Sequence, residues 1–194
     1  MKKYIAEAVG AFTLTLVIAL SLAGTFPVAT PVLAALVLGL FVLTIGTISG
    51  AHINPAVTIG AFSIRKIEGR DALMYIIAQV IGAGVAMFAI SSTVGVAYLT
   101  VTNSLPVFLA ELVGAFFFTF GIASVLCGNV SKDASGLVIG GSLLLGISIA
   151  ALFGSNGILN PAVAFGIGSL NLSYILGPIA GSILGMQMYR YISK

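Results

Sequence analysis

The sequence is poor in charged residues, histidine, cysteine and tryptophan. Only 7% of its 194 residues are charged, and it contains one histidine, one cysteine and no tryptophan. The single cysteine, Cys127, excludes an internal disulfide, and no cluster of His, Cys, Asp and Glu indicates a metal site. The sequence also has no recognisable nucleophile–base pair and no phosphate-binding loop. We therefore expect neither an enzyme nor a bound metal or cofactor.

Apolar residues, in contrast, make up 59% of the chain, and the mean hydropathy is +1.20. A soluble domain of this length needs far more polar surface. The chain is therefore expected to be an integral membrane protein without a separate soluble domain. It begins with Met1-Lys2-Lys3, as a signal peptide would, but the apolar run at 4–24 is long enough to span a bilayer. We interpret that run as the first membrane helix.

Hydropathy divides the chain into six long apolar segments and two short ones. Each long segment holds about 20 residues, which is enough to cross ~30 Å of hydrocarbon at about 1.5 Å per residue. The long segments are 4–24, 31–49, 71–91, 106–127, 134–153 and 173–192. The short segments, 55–64 and 161–168, hold about ten residues or fewer and cannot cross. They predict re-entrant half-helices, which a membrane tolerates only inside protein or beside a water-filled cavity.

The basic residues lie on one side of this six-span topology. The termini and the loops that follow the second and fourth full spans contain all eight of them: Lys2, Lys3, Arg65, Lys66, Arg70, Lys132, Arg190 and Lys194. The opposite loops, at 25–30, 92–105 and 155–171, contain no Lys or Arg. This asymmetry follows the positive-inside rule and predicts that both termini are cytoplasmic. The short loops and termini favour the plasma or inner membrane of a cell.

The two halves of the chain resemble each other. AEAVGAF at 6–12 reappears as AELVGAF at 110–116, and SGAHINPAV at 49–57 reappears as SNGILNPAV at 155–163. Because each half contains three full spans, the second copy must enter the membrane from the opposite face. We therefore predict an all-α membrane fold in a single domain over 1–194, with inverted repeats at about 1–92 and 104–194. Inverted repeats place the functional site near the membrane midplane.

The tripeptide Asn-Pro-Ala opens both short segments. Asn is a preferred helix cap, and Pro fits the first helical position because that position needs no amide hydrogen. Two half-helices of opposite orientation would meet near the midplane with their positive ends facing the centre, which opposes the passage of cations. The segments leading in, at 50–53 and 156–159, are expected to be non-helical. We interpret the motifs as the two halves of a pore, formed by Asn54, Pro55, Ala56, Asn160, Pro161 and Ala162.

Three titratable residues lie inside the spans or beside these motifs. Glu7 and Glu111 are placed well inside full spans, where a carboxylate is a functional candidate. They act either as a proton relay or as a support that accepts backbone N–H bonds from the non-helical loops. Their symmetry-related positions favour the supporting role. His52, two residues before Asn54, either gates the pore by protonation or packs the loop, and loop packing is favoured.

Small residues recur every fourth position in two equivalent spans. They are Gly177, Gly181 and Gly185 in the last span, and Ala78, Gly82 and Ala86 in the third. Small residues at this spacing let membrane helices approach closely. We expect these positions to pack helices together without a direct role in transport.

The six spans, the two Asn-Pro-Ala loops, the glutamates of the first and fourth spans and the stretch SGAHINPAVTIG together resemble the aquaporin, or major intrinsic protein, family. The resemblance covers essentially the whole chain. It implies a homotetramer in the lipid bilayer, with one pore per subunit. It also implies passive passage of water or small uncharged solutes, with no cofactor and no nucleic-acid partner.

The chain departs from the family directly after the second Asn-Pro-Ala, where the usual arginine is replaced by Val163. Spacing from the two motif asparagines places the other constriction positions at Ala34, Ser148 and Gly157. None of these four residues is aromatic, charged or large, so a wider and less polar constriction is expected. Without the guanidinium, one electrostatic barrier to cations is gone. The aspartate that often follows in glycerol-conducting members is also replaced, by Ala164.

We therefore expect passage of water with weaker discrimination by size, and glycerol, urea, ammonia, dissolved gases and undissociated metalloid hydroxides are candidate solutes. Two other classes remain open. A secondary transporter built from inverted repeats would need a polar or charged site at the midplane, for which only Glu7 and Glu111 are available. A non-conducting membrane scaffold would keep the fold without flux. Saturable, gradient-dependent uptake would favour the transporter, and passive flux favours the channel.

Overall fold

The computed structural model describes residues 1–24, 27–93, 99 and 101–194. The remaining positions belong to the predicted loops at 25–30 and 92–105 and lie outside the described residues. Over the described part of the chain all regular secondary structure is helical. Its elements are α1 (Lys2–Ala23), α2 (Thr30–Ser49), α3 (Pro55–Ser63), α4 (Gly69–Thr93), α5 (Leu105–Leu126), α6 (Lys132–Leu152), α7 (Pro161–Gly166) and α8 (Leu172–Ile192).

The six long helices match the six predicted spans to within a few residues. Among the described residues, five helices are long and apolar enough to cross a membrane, namely α1, α2, α4, α5 and α6. α8 has 21 residues and is also long enough, but glycine, serine, tyrosine and glutamine dilute its apolar character. The predicted arrangement of six long helices and two short ones is therefore confirmed over this part of the chain.

The two short helices cannot cross a membrane. α3 has 9 residues and α7 has 6, which correspond to about 14 and 9 Å at about 1.5 Å per residue. Pro55 and Pro161 occupy their first helical positions, as predicted. α7 ends at Gly166, earlier than the predicted 168, because Gly168 takes a left-handed conformation with φ of +69° that terminates the helix.

Close helix packing depends on the small residues that the sequence spacing identified. A β-carbon built on Gly181 of α8 would lie 2.1 Å from the carbonyl oxygen of Leu112 in α5. The same construction on Gly82 of α4 would lie 2.1 Å from the carbonyl oxygen of Ala8 in α1. Both distances are far inside van der Waals contact, so only glycine permits these approaches. The packing role predicted for the glycines among these positions is confirmed.

The two halves interlock through α2, α6 and the short helices. α2 packs against α6, where a β-carbon on Gly140 would lie 2.6 Å from the carbonyl oxygen of Ala35. α3 packs against α8 of the other half, and α7 packs against α4. Each short helix therefore lies between elements of both halves, which fixes the positions of Asn54 and Asn160 at their ends.

Candidate pore

The two motif asparagines meet at the centre of the molecule. The side-chain nitrogen of Asn54 donates to the carbonyl oxygen of Leu159 at 2.9 Å, and that of Asn160 donates to the carbonyl oxygen of Ile53 at 3.0 Å. The side-chain oxygens accept backbone N–H bonds from their own helices, from Ala56 at 2.8 Å and from Ala162 at 3.0 Å. Each asparagine thus caps its own helix and binds the loop of the other half. The ends of the two short helices are joined by this reciprocal pair of hydrogen bonds.

The segments before the asparagines are non-helical and conformationally strained, at matching places in the two repeats. Ile53 and Leu159 have φ of +41° and +52°, and Ala51 and Gly157 have φ of +51° and +65°. Left-handed conformations cost a non-glycine residue roughly 1–2 kcal/mol. Both loops therefore need external hydrogen bonds that hold their backbone in place.

Glu7 and Glu111 supply those hydrogen bonds. The Glu7 carboxylate is fully buried and accepts the backbone N–H groups of His52 at 3.0 Å and Ile53 at 2.6 Å. The buried Glu111 carboxylate accepts those of Ile158 at 3.1 Å and Leu159 at 2.7 Å. Each also accepts a serine hydroxyl, from Ser49 at 2.6 Å and Ser155 at 2.5 Å. These contacts are the ones predicted for the supporting role.

His52 belongs to a polar network that only the first half contains. Its Nδ1 lies 3.2 Å from the hydroxyl oxygen of Thr58, and that oxygen accepts from the side-chain amide of Gln79 at 3.0 Å. The same amide donates to Glu7 at 2.8 Å. His52 is buried and packs edge-to-face against Tyr75, with ring centroids 5.4 Å apart. These contacts fit the predicted loop-packing role.

Sequence reasoning missed Gln79 and the asymmetry it creates. The corresponding positions in the second half are apolar: Ile158 for His52, Ala164 for Thr58 and Pro178 for Gln79. One signal was available, because Gln79 is a single carboxamide inside an otherwise apolar span. Its role is explained by the fold, in which its side-chain amide donates to both Glu7 and Thr58.

Cavities lie on both sides of the asparagine pair. The smaller cavity, of about 130 Å³, is lined by both Asn54 and Asn160 and by three of the four predicted constriction residues, Ala34, Gly157 and Val163. We name it the outer cavity, and the cavity on the opposite side of the asparagines the inner cavity, after the sides that the predicted topology assigns to them. The inner cavity is larger, about 870 Å³. Leu38 and His52 line both cavities. The two spaces therefore adjoin at these side chains, next to the helix ends.

The prediction that Ser148 is the fourth constriction residue is wrong. Its side chain is exposed on the far side of α6 and donates to the carbonyl oxygen of Leu144 at 2.8 Å. Ile147 lines the outer cavity instead, and a β-carbon on Gly157 would lie 3.0 Å from its methyl group. One residue turns a helical side chain by about 100°, so a one-residue error in register moves it off the pore. The expectation that no constriction residue is large fails with it.

Further aliphatic and aromatic side chains complete the outer cavity. Leu14 of α1 and Phe118 of α5, which occupy equivalent repeat positions, both line it, as do Ile18 and Leu143. Nothing in the sequence distinguished these residues from the other apolar residues of their spans. Their shared role depends on the rotation of each helix, which the repeat symmetry alone did not reveal.

Comparisons with known proteins agree with the fold and the motifs described above. The family model described as Major intrinsic protein matches residues 1–189. Aquaporin AqpM of Methanothermobacter thermautotrophicus is 35% identical over 179 residues, covering 79% of this chain and 72% of that protein. Glycerol uptake facilitator protein-like 6 of Lactiplantibacillus plantarum is 37% identical over 211 residues, covering 95% of this chain and 94% of that protein.

A solved structure supports the same fold. The X-ray structure of the aquaglyceroporin from Plasmodium falciparum matches with a TM-score of 0.72 at 23% identity, covering 100% of this chain and 95% of that one. The family match thus extends over almost the whole length, and both relatives named above exceed 30% identity. This chain belongs to the major intrinsic protein family.

Proposed function

We propose that this protein is a passive membrane channel for water and small uncharged solutes, whose pore passes the meeting point of Asn54 and Asn160. The observation that carries the proposal is that each asparagine donates to a loop carbonyl of the other repeat, beside a cavity that both asparagines line. Because major intrinsic proteins are passive channels, the protein is not an enzyme. The names of its relatives, an aquaporin and a glycerol uptake facilitator, support water and small polyols as candidate solutes.

The permeation path would run from the outer cavity, past the asparagine pair and His52, into the inner cavity. Within the described residues, the carbonyl groups at 50–52 and 156–158 accept no hydrogen bond. A buried carbonyl without a protein partner is stabilised by water. These carbonyls support a pore that contains water along the two loops.

The outer cavity favours neutral species. Among the described residues that line it, none carries a charged side chain. An ion would leave water without a compensating charge there, at a large cost in free energy. The constriction would consist of Ala34, Ile147, Gly157 and Val163, so Ile147 restores bulk on one side while the arginine remains absent.

The proposal also includes the assembly, the orientation and the domain organisation of the protein. We place the protein in the cell membrane as a homotetramer, with one pore in each single-domain subunit spanning 1–194. The distribution of all eight basic residues at the termini and at two loops supports cytoplasmic termini. Large apolar side chains exposed on the helices, such as Leu36, Ile81 and Phe88, support contact with lipid or with neighbouring subunits.

Stopped-flow light scattering on proteoliposomes tests the channel. We expect water flux above that of empty liposomes, with no saturation. Ala34→Phe should abolish the flux by filling the constriction, whereas Leu36→Phe, on the exposed face of the same helix, should preserve it. Flux equal to that of empty liposomes would contradict the proposal and favour a scaffold. Saturable, gradient-dependent uptake would favour a secondary transporter.

A further inference from the structure

We propose that the cleft between α4 and α8 binds an anionic phospholipid, with an acyl chain against Phe62 and the headgroup phosphate among four basic side chains. This site lies on the surface of the helix bundle, and its occupancy does not depend on what the pore conducts. The ligand class is a glycerophospholipid whose headgroup carries a net negative charge.

The cleft exists because the short helices lie between α4 and α8. Over the described residues these two long helices do not contact each other, whereas α3 and α7 each pack against both of them. At the end of α3, a β-carbon on Gly69 of α4 would lie 3.5 Å from the ring of Phe62, and Gln187 of α8 donates to the carbonyl oxygen of Ser63 at 2.7 Å. Phe62 is nevertheless 51% exposed. It therefore lies between the two long helices with half of its surface uncovered.

The side chains beside Phe62 are apolar. Within 55–61 of α3, Ile59 is the one residue that is not buried, so the exposed side of this helix is an apolar stripe. Leu73 of α4 and Leu184 of α8 each lie one turn from the contacts with α3 just described, and both are exposed. These faces fit a hydrocarbon chain, which gains from apolar contact and needs no hydrogen bond.

Four basic side chains surround one end of the cleft. They are Arg65 and Lys66 in the loop after α3, Arg70 in the first turn of α4, and Arg190 in the last turn of α8, one turn after Gln187. Arg65 and Lys66 line one surface cavity together with Phe62. Among the residues that the structure describes, none of the four forms an ion pair or donates a side-chain hydrogen bond. Their charges are therefore available to a ligand.

The nearby carboxylates leave an excess of positive charge. Asp71 already binds Lys3, with 2.5 Å between Nζ and Oδ2, and accepts the hydroxyl of Tyr4 at 2.8 Å. Glu68 is the one further acidic residue between α3 and Asp71. A guanidinium binds phosphate through two parallel N–H groups, and each Lys or Arg near a membrane surface favours anionic lipid. The charged end of the cleft thus complements a phospholipid headgroup.

The positive charge is confined to this end of the cleft. The repeat-equivalent segment at the other end, 168–176, contains no acidic or basic residue. The positive-inside rule accounts for the side on which basic residues lie but not for their position at one cleft. The α5–α6 connection lies on the same side in the predicted topology, yet its one basic residue, Lys132, is next to Asp133. A cleft with one charged end fits a lipid of one leaflet.

The absence of tryptophan from the sequence allows a direct test. Phe62→Trp introduces a sole fluorophore in the cleft, and Phe88→Trp makes the same change at an exposed position near the other end of α4. Both variants are reconstituted in mixed bilayers of phosphatidylcholine and phosphatidylglycerol, in which one lipid at a time carries bromine on its acyl chains and quenches tryptophan on contact. The binding constant of phosphatidylglycerol relative to phosphatidylcholine should be about fivefold or more at residue 62 and about one at residue 88.

Removal of single charges tests the role of the basic side chains. In the Phe62→Trp background, Lys66→Gln and Arg70→Gln should each lower the relative binding constant by about threefold or more, because each removes one cation near the lipid surface. Lys132→Gln is the matched control, since it removes an exposed cation from the α5–α6 connection and should leave the constant unaltered. Native mass spectrometry of the wild-type chain and of Arg70→Gln gives the same comparison without tryptophan, as the ratio of retained phosphatidylglycerol to retained phosphatidylcholine.

A relative binding constant near one at residue 62, or one that neither charge removal lowers, would overturn the inference. Absence of quenching by either lipid at residue 62 would also overturn it, because a second copy of the chain would then cover the cleft. A preference that sodium phosphate abolishes and sodium chloride of the same ionic strength preserves would indicate a site for free phosphate and overturn the lipid assignment. A preference equal in both salts supports it.

Discussion

At the scale of single residues, two buried glutamates bind the backbone of the two loops that precede Asn54 and Asn160. Glu7 and Glu111 each accept two backbone N–H groups from a loop whose backbone is held in left-handed conformations. The matching positive φ angles at Ile53 and Leu159 show that both repeats use the same device. A carboxylate is suited to this role because both of its oxygens accept and neither donates.

Replacing either glutamate with glutamine should destabilise the protein while leaving its size almost unchanged. The glutamine NH₂ cannot accept, so in Glu7→Gln or Glu111→Gln at least one buried loop N–H loses its partner. The expected loss in the free energy of unfolding is about 1–3 kcal/mol. Thermal unfolding in detergent measures it, with Glu68→Gln as the control because Glu68 is exposed outside the helices. Equal melting temperatures for all three variants would contradict the supporting role.

The absence of the family's arginine at Val163 leads to a second residue-scale prediction. Val163→Arg should narrow the outer cavity and introduce donors that bind water. Glycerol flux should fall by about tenfold relative to water flux, which corresponds to a barrier change of about 1.4 kcal/mol. Paired solute and water measurements on the same proteoliposomes give this ratio. Selectivity that stays at the wild-type value would show that Val163 does not face the constriction.

Residue roles followed from the sequence most directly where the chain repeats itself. The paired asparagines and glutamates were identified because each occurs twice in an equivalent context. Gln79 has no counterpart, since Pro178 occupies the equivalent position, and its contacts join residues far apart in the chain. Ser148 was misplaced because spacing along the chain does not fix the rotation of α6 to within one residue.

At the scale of secondary-structure elements, glycine determines how close the helices lie. α5 and α8 approach until the carbonyl of Leu112 fills the space where a β-carbon of Gly181 would be. α7 lies against α4 at Gly166, where a β-carbon would be 2.9 Å from the carbonyl oxygen of Ala83. The short helix α7 can lie this close to α4 because Gly166 has no side chain at the crossing.

Gly181→Ala should therefore separate α5 from α8 and lower stability, since the added methyl overlaps the carbonyl of Leu112. Gly141→Ala in α6 is the matched control, because a β-carbon there meets no atom within 4 Å. The control should be neutral or stabilising by about 0.5–1 kcal/mol, as alanine is the better helix former. Melting temperatures that fall equally for both variants would contradict the assigned packing.

The sequence predicted where the helices begin better than it predicted where α7 ends or why α8 is less apolar. Asn and Pro marked the starts of α3 and α7 because both residues act locally. The end of α7 was placed too late, because apolar character continues after the turn at Gly168. α8 is less apolar than the other long helices because its small residues serve packing against α5.

At the scale of the whole molecule, the interlocking of two inverted halves places both short helices at one centre. The asymmetric distribution of basic residues then predicts which side of the membrane each loop faces. Cys127 is a natural probe of this orientation, because it is the sole cysteine of the sequence and directly follows α5. It is half-buried, so a small reagent is required.

A membrane-impermeant maleimide should label Cys127 in inside-out vesicles and not in intact cells. In a Cys127→Ser background, Phe153→Cys should give the opposite pattern, because Phe153 is exposed at the other end of the fold, directly after α6. Labelling of Cys127 from outside intact cells would reverse the proposed orientation.

The overall architecture was predictable because hydropathy, charge and the internal repeat agree on one topology. The shape of the pore was not, because it depends on the rotations of four helices and two loops whose apolar residues look alike in sequence. Ile147 and Leu38 illustrate this, since both line cavities that no local pattern marks.

The central claim is that the ends of α3 and α7 meet beside one continuous water-filled path. A high-resolution experimental map of the protein in a lipid bilayer, detailed enough to show ordered water, tests it most directly. The account predicts a file of water density from the outer cavity, past the side chains of Asn54 and Asn160, to the inner cavity beyond His52. A map in which packed side chains separate the two asparagines, or in which either short helix lies on the membrane surface, would contradict it.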